Sequence, residues 1–490
     1  MASRDPARPN VVFILTDDQG CWAMGCAGNP EIRTPNLDRL AREGIRFENF
    51  FCTSPVCSPS RASFLTGRIP SQHGVHDWIA GGNEVDGIEY LEGQPGYTDI
   101  LAANGYTCGI SGKWHLGDSL NPQKSFSHWF IHPRGGGAYM NGEMIRHGDV
   151  IRVPGYLTDA ITDDALGFAE VHADGDQPFY LSLHYTAPHS PWIDQHPQDI
   201  VDSYDDCAFE SCPQEPLHPG MAFYDFQFSK HVVDRHGNDI PVREYLKGYF
   251  AAVTAMDASV GRVLTRLDEL GLRKNTLVFF TSDNGFNCGH HGIWGKGSAT
   301  FPLNMYDTSV KVPAIASHPG RIPEGQVCEA LLSGYDFMPT LLEYLGLPNP
   351  EAGKLPGRSF APLLMGRENE GHDHVVVYDE YGPTRMVRTK DWKYVHRYPY
   401  GPHELYDLAN DPGERINLLT DERLLAQVEG DRDEIVVSLK ARLEEWFAQY
   451  VDPMLDGTRE AVGGRGQINL AGPRGGGIPA FNERVQTAYS

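Results

Sequence analysis

The sequence predicts an α/β fold in which a large, mostly parallel sheet is flanked by helices. Three continuous apolar segments indicate its strands, at residues 11–15, 178–183 and 276–280. Strands that are covered on both faces have unbroken apolar runs of this kind. Helical patterns lie between these segments, and such alternation of strands and helices is typical of this architecture.

Caps and spacing predict the helices. Residues 34–41 place Thr before Pro at the first helical position and carry apolar residues on one face, and residues 156–169 have a similar pattern. Pro59 suits the first turn of a helix, residues 61–66 continue it, and Gly67 is where a helix stop is expected. Cys57 therefore falls at a helix start, where free backbone N–H groups and the helix dipole favour an anion or a thiolate.

The composition changes along the chain and predicts two domains. We expect a catalytic domain over residues 1–365 and a smaller C-terminal α+β domain over residues 366–490. Within the first, residues 193–242 lack periodicity and are predicted to be an insertion that sets specificity, since long irregular segments in compact domains tend to be functional. The second domain combines an antiparallel sheet, a helix and an irregular tail; its predicted elements are strands 375–378 and 392–395 and helix 437–450.

Charge and composition exclude several classes of function. The formal charge is −24, with 41 Lys and Arg against 65 Asp and Glu, which argues against nucleic acid and anionic membranes as partners. An anionic substrate therefore needs a local basic pocket. The nine cysteines show no Cys-x-x-Cys spacing, so neither a zinc site nor a dense disulfide framework is predicted.

The N-terminal segment and the hydropathy of the chain bear on its location. The first apolar run is too short, and its start too polar, for a signal peptide. No segment approaches the roughly 20 apolar residues that a membrane span needs. We therefore predict a cytoplasmic protein without a membrane partner, or a periplasmic or secreted one if a leader was removed.

Polar side chains follow the predicted strands. Asp17 and Asp18 end the first strand, Asp283 and Asn284 end the last, and residues 186–189 follow the middle one. Ligands of open α/β sheets bind beyond the carboxyl ends of the strands, so a site is expected there. Taken singly, each motif has a plainer explanation: a helix cap, a tight turn, a polar loop.

The segment Pro-Val-Cys-Ser-Pro-Ser-Arg-Ala-Ser-Phe-Leu-Thr-Gly, residues 55–67, resembles the signature of the type I sulfatases of the alkaline-phosphatase-like superfamily. The resemblance extends over nearly the whole chain, and the other matching blocks are residues 10–18, 112–117, 187–189, 282–285, 295–297, 404–408, 411–412 and 417–418. It implies the fold of that superfamily. It also implies that a formylglycine-generating enzyme recognises this peptide during maturation and oxidises Cys57 to formylglycine.

The resemblance also implies a metal site. Its ligands would be Asp17, Asp18, Asp283, Asn284 and residue 57. Carboxylate and amide oxygens suit Ca²⁺ or Mg²⁺ rather than a soft metal, and three carboxylates with an amide favour the roomier Ca²⁺, which the family usually holds. Hydrated formylglycine would be the nucleophile, and its second hydroxyl would later expel sulfate by re-forming the aldehyde.

The same resemblance implies roles for five further side chains. Arg61 would hold the formylglycine diol, and Lys113 and Lys296 would bind sulfate oxygens and stabilise charge as the S–O bond breaks. His115 would act as the base for breakdown of the hemiacetal. His189 would protonate the leaving alcohol, a task for which the usual pKa of histidine is suited.

The expected function is hydrolysis of a sulfate ester on a small or terminal substrate, a sulfated sugar or an aryl sulfate. One alternative is a phosphonate monoester or phosphodiester hydrolase of the same superfamily, against which Lys113, His115 and Lys296 argue. A second is a non-catalytic protein that binds sulfated ligands and keeps an unmodified Cys57. The flanking motifs place four further histidines near the site, to which no role is assigned: His73, His184, His290 and His291. A structural hydrogen bond is expected for them, with a metal or substrate contact as the alternative.

Overall fold

The computed structural model describes residues 8–80, 87–223, 231–233, 239–380, 383–420 and 422–481. Its strands are β1 Asn10–Thr16, β2 Ile45–Phe51, β3 Thr107–Lys113, β4 His128–His132, β5 Glu143–Arg146, β6 Asp149–Arg152, β7 Phe179–His184, β8 His231–Val233, β9 Asp239–Pro241, β10 Thr276–Ser282, β11 Asn287–Cys288, β12 Trp294–Gly295, β13 Ala314–Ser317, β14 Gln326–Ser333, β15 Val375–Asp379, β16 Thr384–Arg388, β17 Trp392–Arg397 and β18 Glu404–Asp407. Its α-helices are α1 Pro35–Arg42, α2 Cys57–Thr66, α3 Pro70–His73, α4 Tyr97–Ala103, α5 Leu157–Val171, α6 Gln198–Asp202, α7 Val242–Glu269, α8 Asp307–Val310, α9 Phe337–Tyr344, α10 Ala361–Leu364 and α11 Glu422–Tyr450.

Ten strands form the central sheet, in the order β14-β2-β13-β10-β1-β7-β3-β4-β5-β6. The five neighbours β10, β1, β7, β3 and β4 are mutually parallel, which confirms the predicted parallel core. The sheet as a whole is mixed, because β13, β5 and β6 pair antiparallel at its two sides.

Strand β1 shows why the apolar runs are continuous. Val11, Phe13 and Leu15 point into one hydrophobic cluster, whereas Val12 and Ile14 point into another on the opposite face. Successive side chains of a strand alternate between faces, so a strand covered on both sides carries apolar residues at successive positions along its middle.

The predicted helices are confirmed with small shifts at their ends. Helix α1 spans Pro35–Arg42, α5 spans Leu157–Val171, and α2 begins at Cys57 and ends before Gly67, whose φ of 67° is left-handed. Thr34 precedes α1 without capping it, because its hydroxyl hydrogen-bonds the side chain of Asp38 instead.

The four-stranded antiparallel sheet β15-β16-β17-β18 lies beside α11. The predicted helix at 437–450 is the second half of this longer helix. The two elements share a third hydrophobic cluster, formed by Ile69, Tyr335, Val376, Tyr378, Val387, Tyr394, Leu405, Leu439, Leu443, Trp446 and Phe447. The boundary at residue 366 stays a prediction. Among the described residues, no helix is both long and apolar enough to cross a bilayer.

The predicted insertion at 193–242 contains helix α6 and the hairpin β8–β9, and parts of it, at 224–230 and 234–238, lie outside the described residues. Its middle lies along residues 289–301: the N–H of His218 donates to the carbonyl of Gly292 at 3.0 Å, and that of Phe301 donates to Gly220 at 3.3 Å. The insertion therefore borders the segment that carries Lys296.

Candidate active site

The site lies where four neighbouring parallel strands end. Strand β1 leads into Asp17 and β10 into Asp283, while Lys113 and His184 are the last residues of β3 and β7. Parallel strands place their carboxyl ends at one edge of the sheet, so residues far apart in the chain meet there. The amino end of α2 adds Cys57 to the same place.

Three buried carboxylates form an acidic cluster. Asp17, Asp18 and Asp283 each offer an oxygen within 4.8 Å of the other two. Asp18 adopts the left-handed region at φ 62°, and the Tyr249 hydroxyl donates to its carbonyl at 3.0 Å. Backbone strain of this kind persists where surrounding contacts impose it and often marks a functional site.

Asn284 completes the set of oxygen donors. Its amide nitrogen donates to the Asp18 carboxylate at 2.7 Å, and its buried amide oxygen has no hydrogen-bond partner among the described residues. The two ends of an amide are assigned from their hydrogen bonds, and rotation by half a turn would direct the oxygen to the carboxylates. Three carboxylates and one amide oxygen fit a hard divalent cation such as Ca²⁺ or Mg²⁺.

The carboxylates are electrostatically unequal. Burial raises the pKa of Asp17, but Lys113 and further cations more than offset this, so the pKa lies well below its usual range. Burial, then the charge of Asp17, raises the pKa of Asp283 to about 7, although Arg61 opposes the shift. Closely spaced carboxylates disfavour simultaneous ionisation unless cations compensate them.

Each carboxylate has a basic partner. The pairs are Lys113 Nζ with Asp17 Oδ2, Lys296 Nζ with Asp18 Oδ1 at 2.7 Å, and Arg61 Nε with Asp283 Oδ2 at 2.8 Å. Because burial makes an unpaired charge costly, these pairs hold the basic side chains at the centre of the site.

Cys57 lies between the acidic and basic groups. Its sulfur is 3.5 Å from Asp17 Oδ1 and 2.8 Å from Lys296 Nζ. Burial, then the charge of Asp17, raises the pKa of the thiol to about 12. The helix start therefore does not produce the expected thiolate. One turn further along α2, Arg61 donates to the Lys113 carbonyl at 3.2 Å, and its Nη2 is buried without a protein partner among the described residues.

The two predicted catalytic histidines present different nitrogens. His115 Nε2 lies 2.9 Å from the Ile79 carbonyl and must carry the proton, because a carbonyl only accepts. Burial, then Lys113, holds the pKa of His115 well below its usual range, so its Nδ1 keeps a lone pair. His189 Nδ1 donates to the Ser190 carbonyl at 2.7 Å, and its Nε2 is 3.7 Å from Asp18.

Two of three consecutive glycines, Gly135 and Gly136, approach the catalytic histidines, and the sequence analysis missed them. A Cβ atom on Gly135 would come within 2.4 Å of the His115 ring, and one on Gly136 within 3.0 Å of the His189 ring. Glycine permits such close approach because it has no side chain. The run of three glycines at 135–137 is the sequence feature that could have indicated this close approach.

The other four histidines make structural contacts. His73 bonds the Ser63 hydroxyl at 3.2 Å, His184 bonds the Lys113 carbonyl at 3.1 Å, and His290 bonds the Ser211 carbonyl at 3.1 Å. His291 differs, because it stacks on the Tyr306 ring at 3.8 Å.

The sequence matches a family model described as Sulfatase over residues 9–347, and a second described as N-sulphoglucosamine sulphohydrolase, C-terminal, over residues 289–448. The chain belongs to the sulfatase family of the alkaline-phosphatase-like superfamily. It is a sulfuric ester hydrolase.

Individual relatives agree. The chain is 28% identical to the N-acetylglucosamine-6-O-sulfatase of Bacteroides thetaiotaomicron, with 84% of this chain and 82% of that protein covered. It is 30% identical to human arylsulfatase A, with 88% and 86% covered. A solved complex of a protein with its substrate D-glucosamine-2-N,6-O-disulfate superposes with a TM-score of 0.74 at 27% identity, covering 92% of this chain and all of that one.

Proposed function

We propose that this enzyme removes the sulfate group from a sulfated sugar, at a terminal residue or on a small molecule, with formylglycine at position 57 and Ca²⁺ at the acidic cluster. The observation that carries this proposal is the convergence of three carboxylates, three cations and Cys57 at one edge of the sheet. The substrate class is supported by the relatives, two of which act on or bind sulfated amino sugars.

The metal would be held by Asp17, Asp18, Asp283 and Asn284, together with residue 57. A divalent cation there would supply charge that polarises the sulfate group and the nucleophile. The cation would also neutralise the negative charge of the carboxylates. The lysine partners of Asp17 and Asp18 would then be available to bind an anionic substrate. Ca²⁺ is favoured over Mg²⁺ because a set of three carboxylates and an amide suits its larger, more flexible coordination.

Position 57 suits an aldehyde side chain. Cys57 opens α2 within reach of Lys296. Arg61 lies on the same helix, and its Nη2 has no protein partner among the described residues, so it can donate to an oxygen that replaces the sulfur of residue 57. A hydrated aldehyde supplies one hydroxyl to attack sulfur and a second whose deprotonation releases the sulfate, which serine could not do. The formylglycine-generating enzyme is the maturation partner that this proposal requires.

Four side chains would assist the reaction. Lys113 and Lys296 would bind sulfate oxygens, where fixed positive charge stabilises the transition state. His115 offers an unprotonated Nδ1 and would act as a base. His189 already uses Nδ1 as a donor, so a second proton on Nε2 would make it the acid for the leaving alcohol, with Asp18 stabilising that proton.

The substrate is expected to enter past the insertion at 193–242, which borders the segment of Lys296. The net charge of −24 disfavours long polyanions and favours a short or terminal substrate. We place the enzyme in the cytoplasm, and neither a nucleic acid nor a membrane is a proposed partner.

A screen of sulfated monosaccharides tests this function. The protein is produced together with the formylglycine-generating enzyme and supplied with Ca²⁺, and sulfate release is measured from sugars that each carry one sulfate group. Hydrolysis of one positional isomer well above the others supports the proposal. Parallel assays with a nitrophenyl sulfate and a nitrophenyl phosphonate distinguish a sulfatase from the phosphonate hydrolase alternative. A clear preference for the phosphonate would overturn our choice.

A further inference from the structure

The C-terminal tail returns to the catalytic part of the chain. One tail residue, Gln467, is fully buried and lies against residues 74–80. Four hydrogen bonds join them: Gln467 N to the Trp78 carbonyl at 2.8 Å, Ala80 N to the Gln467 carbonyl at 3.0 Å, His76 N to Gln467 Oε1 at 2.9 Å, and Gln467 Nε2 to the Gly74 carbonyl at 2.9 Å.

These bonds give irregular backbone the partners that a neighbouring strand would otherwise supply. Buried backbone N–H and C=O groups need hydrogen-bond partners, and residues 74–80 form no strand of the central sheet. The backbone of Gln467 pairs with the second half of the segment, and its side chain pairs with the first half. A single residue therefore bonds to both halves of the segment.

The segment leads directly to the catalytic groups. Ile79 N–H donates to the Ser58 hydroxyl at 3.1 Å, next to Cys57. The Ile79 carbonyl accepts the Nε2 proton of His115 at 2.9 Å. This carbonyl sets which ring nitrogen carries the proton and leaves the other nitrogen as the basic one.

We propose that Gln467 is a positioning residue for His115. By holding residues 74–80, it keeps the Ile79 carbonyl where it orients the imidazole ring and fixes its tautomer. The inference rests on the proposed role of His115 as a base. Gln467 lies in the C-terminal tail, which the sequence predicts to be irregular.

The kinetic test replaces the side chain and keeps its size. Gln467→Leu removes all three side-chain bonds, the two to residues 74–80 and one from Nε2 to the Asn469 carbonyl at 2.9 Å. We expect kcat to fall roughly tenfold to a hundredfold with KM changed less than about twofold, since small misplacement of a catalytic group has effects of this size. Asn469→Leu is the matched control, because the side chain of Asn469 donates within the tail, to the carbonyls of Gly475 and Ile478. Melting temperatures of both variants identify any general loss of structure.

A double-mutant cycle separates positioning from a general structural effect. In a His115→Ala background, Gln467→Leu should cause no further loss of kcat, whereas independent effects would multiply. Wild-type activity on the same sulfate ester is the reference: if matured wild-type protein releases no sulfate, the proposed function fails. If wild type is active and Gln467→Leu retains its kcat, or if the losses multiply, only this inference is overturned.

A spectroscopic readout does not depend on activity. In ¹⁵N-histidine-labelled protein, the signals of His115 are assigned by their absence from His115→Ala. We expect a protonated Nε2 in wild type and in Asn469→Leu, and a mixture of tautomers in Gln467→Leu. Gln467→Glu, which keeps the acceptor for His76 and loses the donor to Gly74, provides a second variant should the leucine variant fail to fold. An unchanged Nε2 tautomer in a folded variant contradicts the proposal.

Discussion

Replacement of Lys296 by methionine removes one charge from the site at nearly constant volume. The Lys296 ammonium contacts Asp18 at 2.7 Å and the residue-57 side chain at 2.8 Å, and its side chain is 15% exposed. Burial opposes its charge, but Asp18 and the neighbouring carboxylates keep the pKa of Lys296 well above its usual range. Lys296 is a cleaner probe than Lys113, because the Lys113 ion pair with Asp17 is fully buried and its loss would destabilise the fold as well.

The geometry sets the size of the effect. A unit charge about 3 Å from a sulfate oxygen, at an effective dielectric constant of about 20, contributes roughly 5 kcal/mol of interaction. Part of this already stabilises the bound substrate, so only a fraction lowers the barrier. Loss of one donor that stabilises developing negative charge typically costs about 3–4 kcal/mol, or 10²–10³ in kcat. We therefore expect Lys296→Met to lower kcat at least a hundredfold and also to raise KM.

The assay follows release of nitrophenol from a nitrophenyl sulfate by matured, Ca²⁺-supplied protein. Lys354→Met is the control, since Lys354 is 68% exposed and its contact is with Glu351 at 3.8 Å. Circular dichroism and melting temperature establish that Lys296→Met remains folded. A kcat within threefold of wild type would refute the assignment of Lys296 to the sulfate group.

Three further predictions concern backbone and burial. Gly135→Ala should lower kcat more than about tenfold because its Cβ would displace the His115 ring, whereas Gly175→Ala, with its nearest neighbour at 3.6 Å, should not; equal kinetics would contradict this. Gly167→Ala should raise the free energy of unfolding by about 0.5–1 kcal/mol in denaturant titrations, since α5 has open space there. Burial raises the pKa of Asp77 from 3.8 to about 7, so the folded state binds the extra proton and stability falls as pH rises from about 4 to 7. Asp77→Asn should flatten this melting-temperature profile.

Local signals in the sequence predicted the parts of the fold that depend on local contacts. Buried strands such as β1 have unbroken apolar runs, and α2 was placed by its proline and by Gly67. The mixed character of the sheet escaped prediction, because β13 and β5 carry no local sign of their direction. The first half of α11 was also missed.

The site was predicted from motifs, and the structure brings the predicted site residues together at one edge of the central sheet. The matching blocks at 404–408, 411–412 and 417–418 lie in and beside the C-terminal sheet instead. Two features had no usable local signal. The contact of Gln467 with residues 74–80 joins parts of the chain that are separated by 391 to 393 residues in its side-chain hydrogen bonds. The protonated state of Cys57 follows from burial and from Asp17, which raise the pKa of the thiol and outweigh the partial charge of the helix start. The individual catalytic roles, the domain boundary and the cytoplasmic location stay predictions.

The most direct test of the central claim measures bound metal and sulfate release on the same sample. We predict that matured protein contains about one Ca²⁺ per chain, loses sulfatase activity when a chelator removes it, and regains activity when Ca²⁺ is restored. Asp283→Ala should bind no Ca²⁺ at the concentration that saturates wild type. Full sulfatase activity in metal-free protein would contradict the claim that Asp17, Asp18, Asp283 and Asn284 hold a catalytic cation beside residue 57.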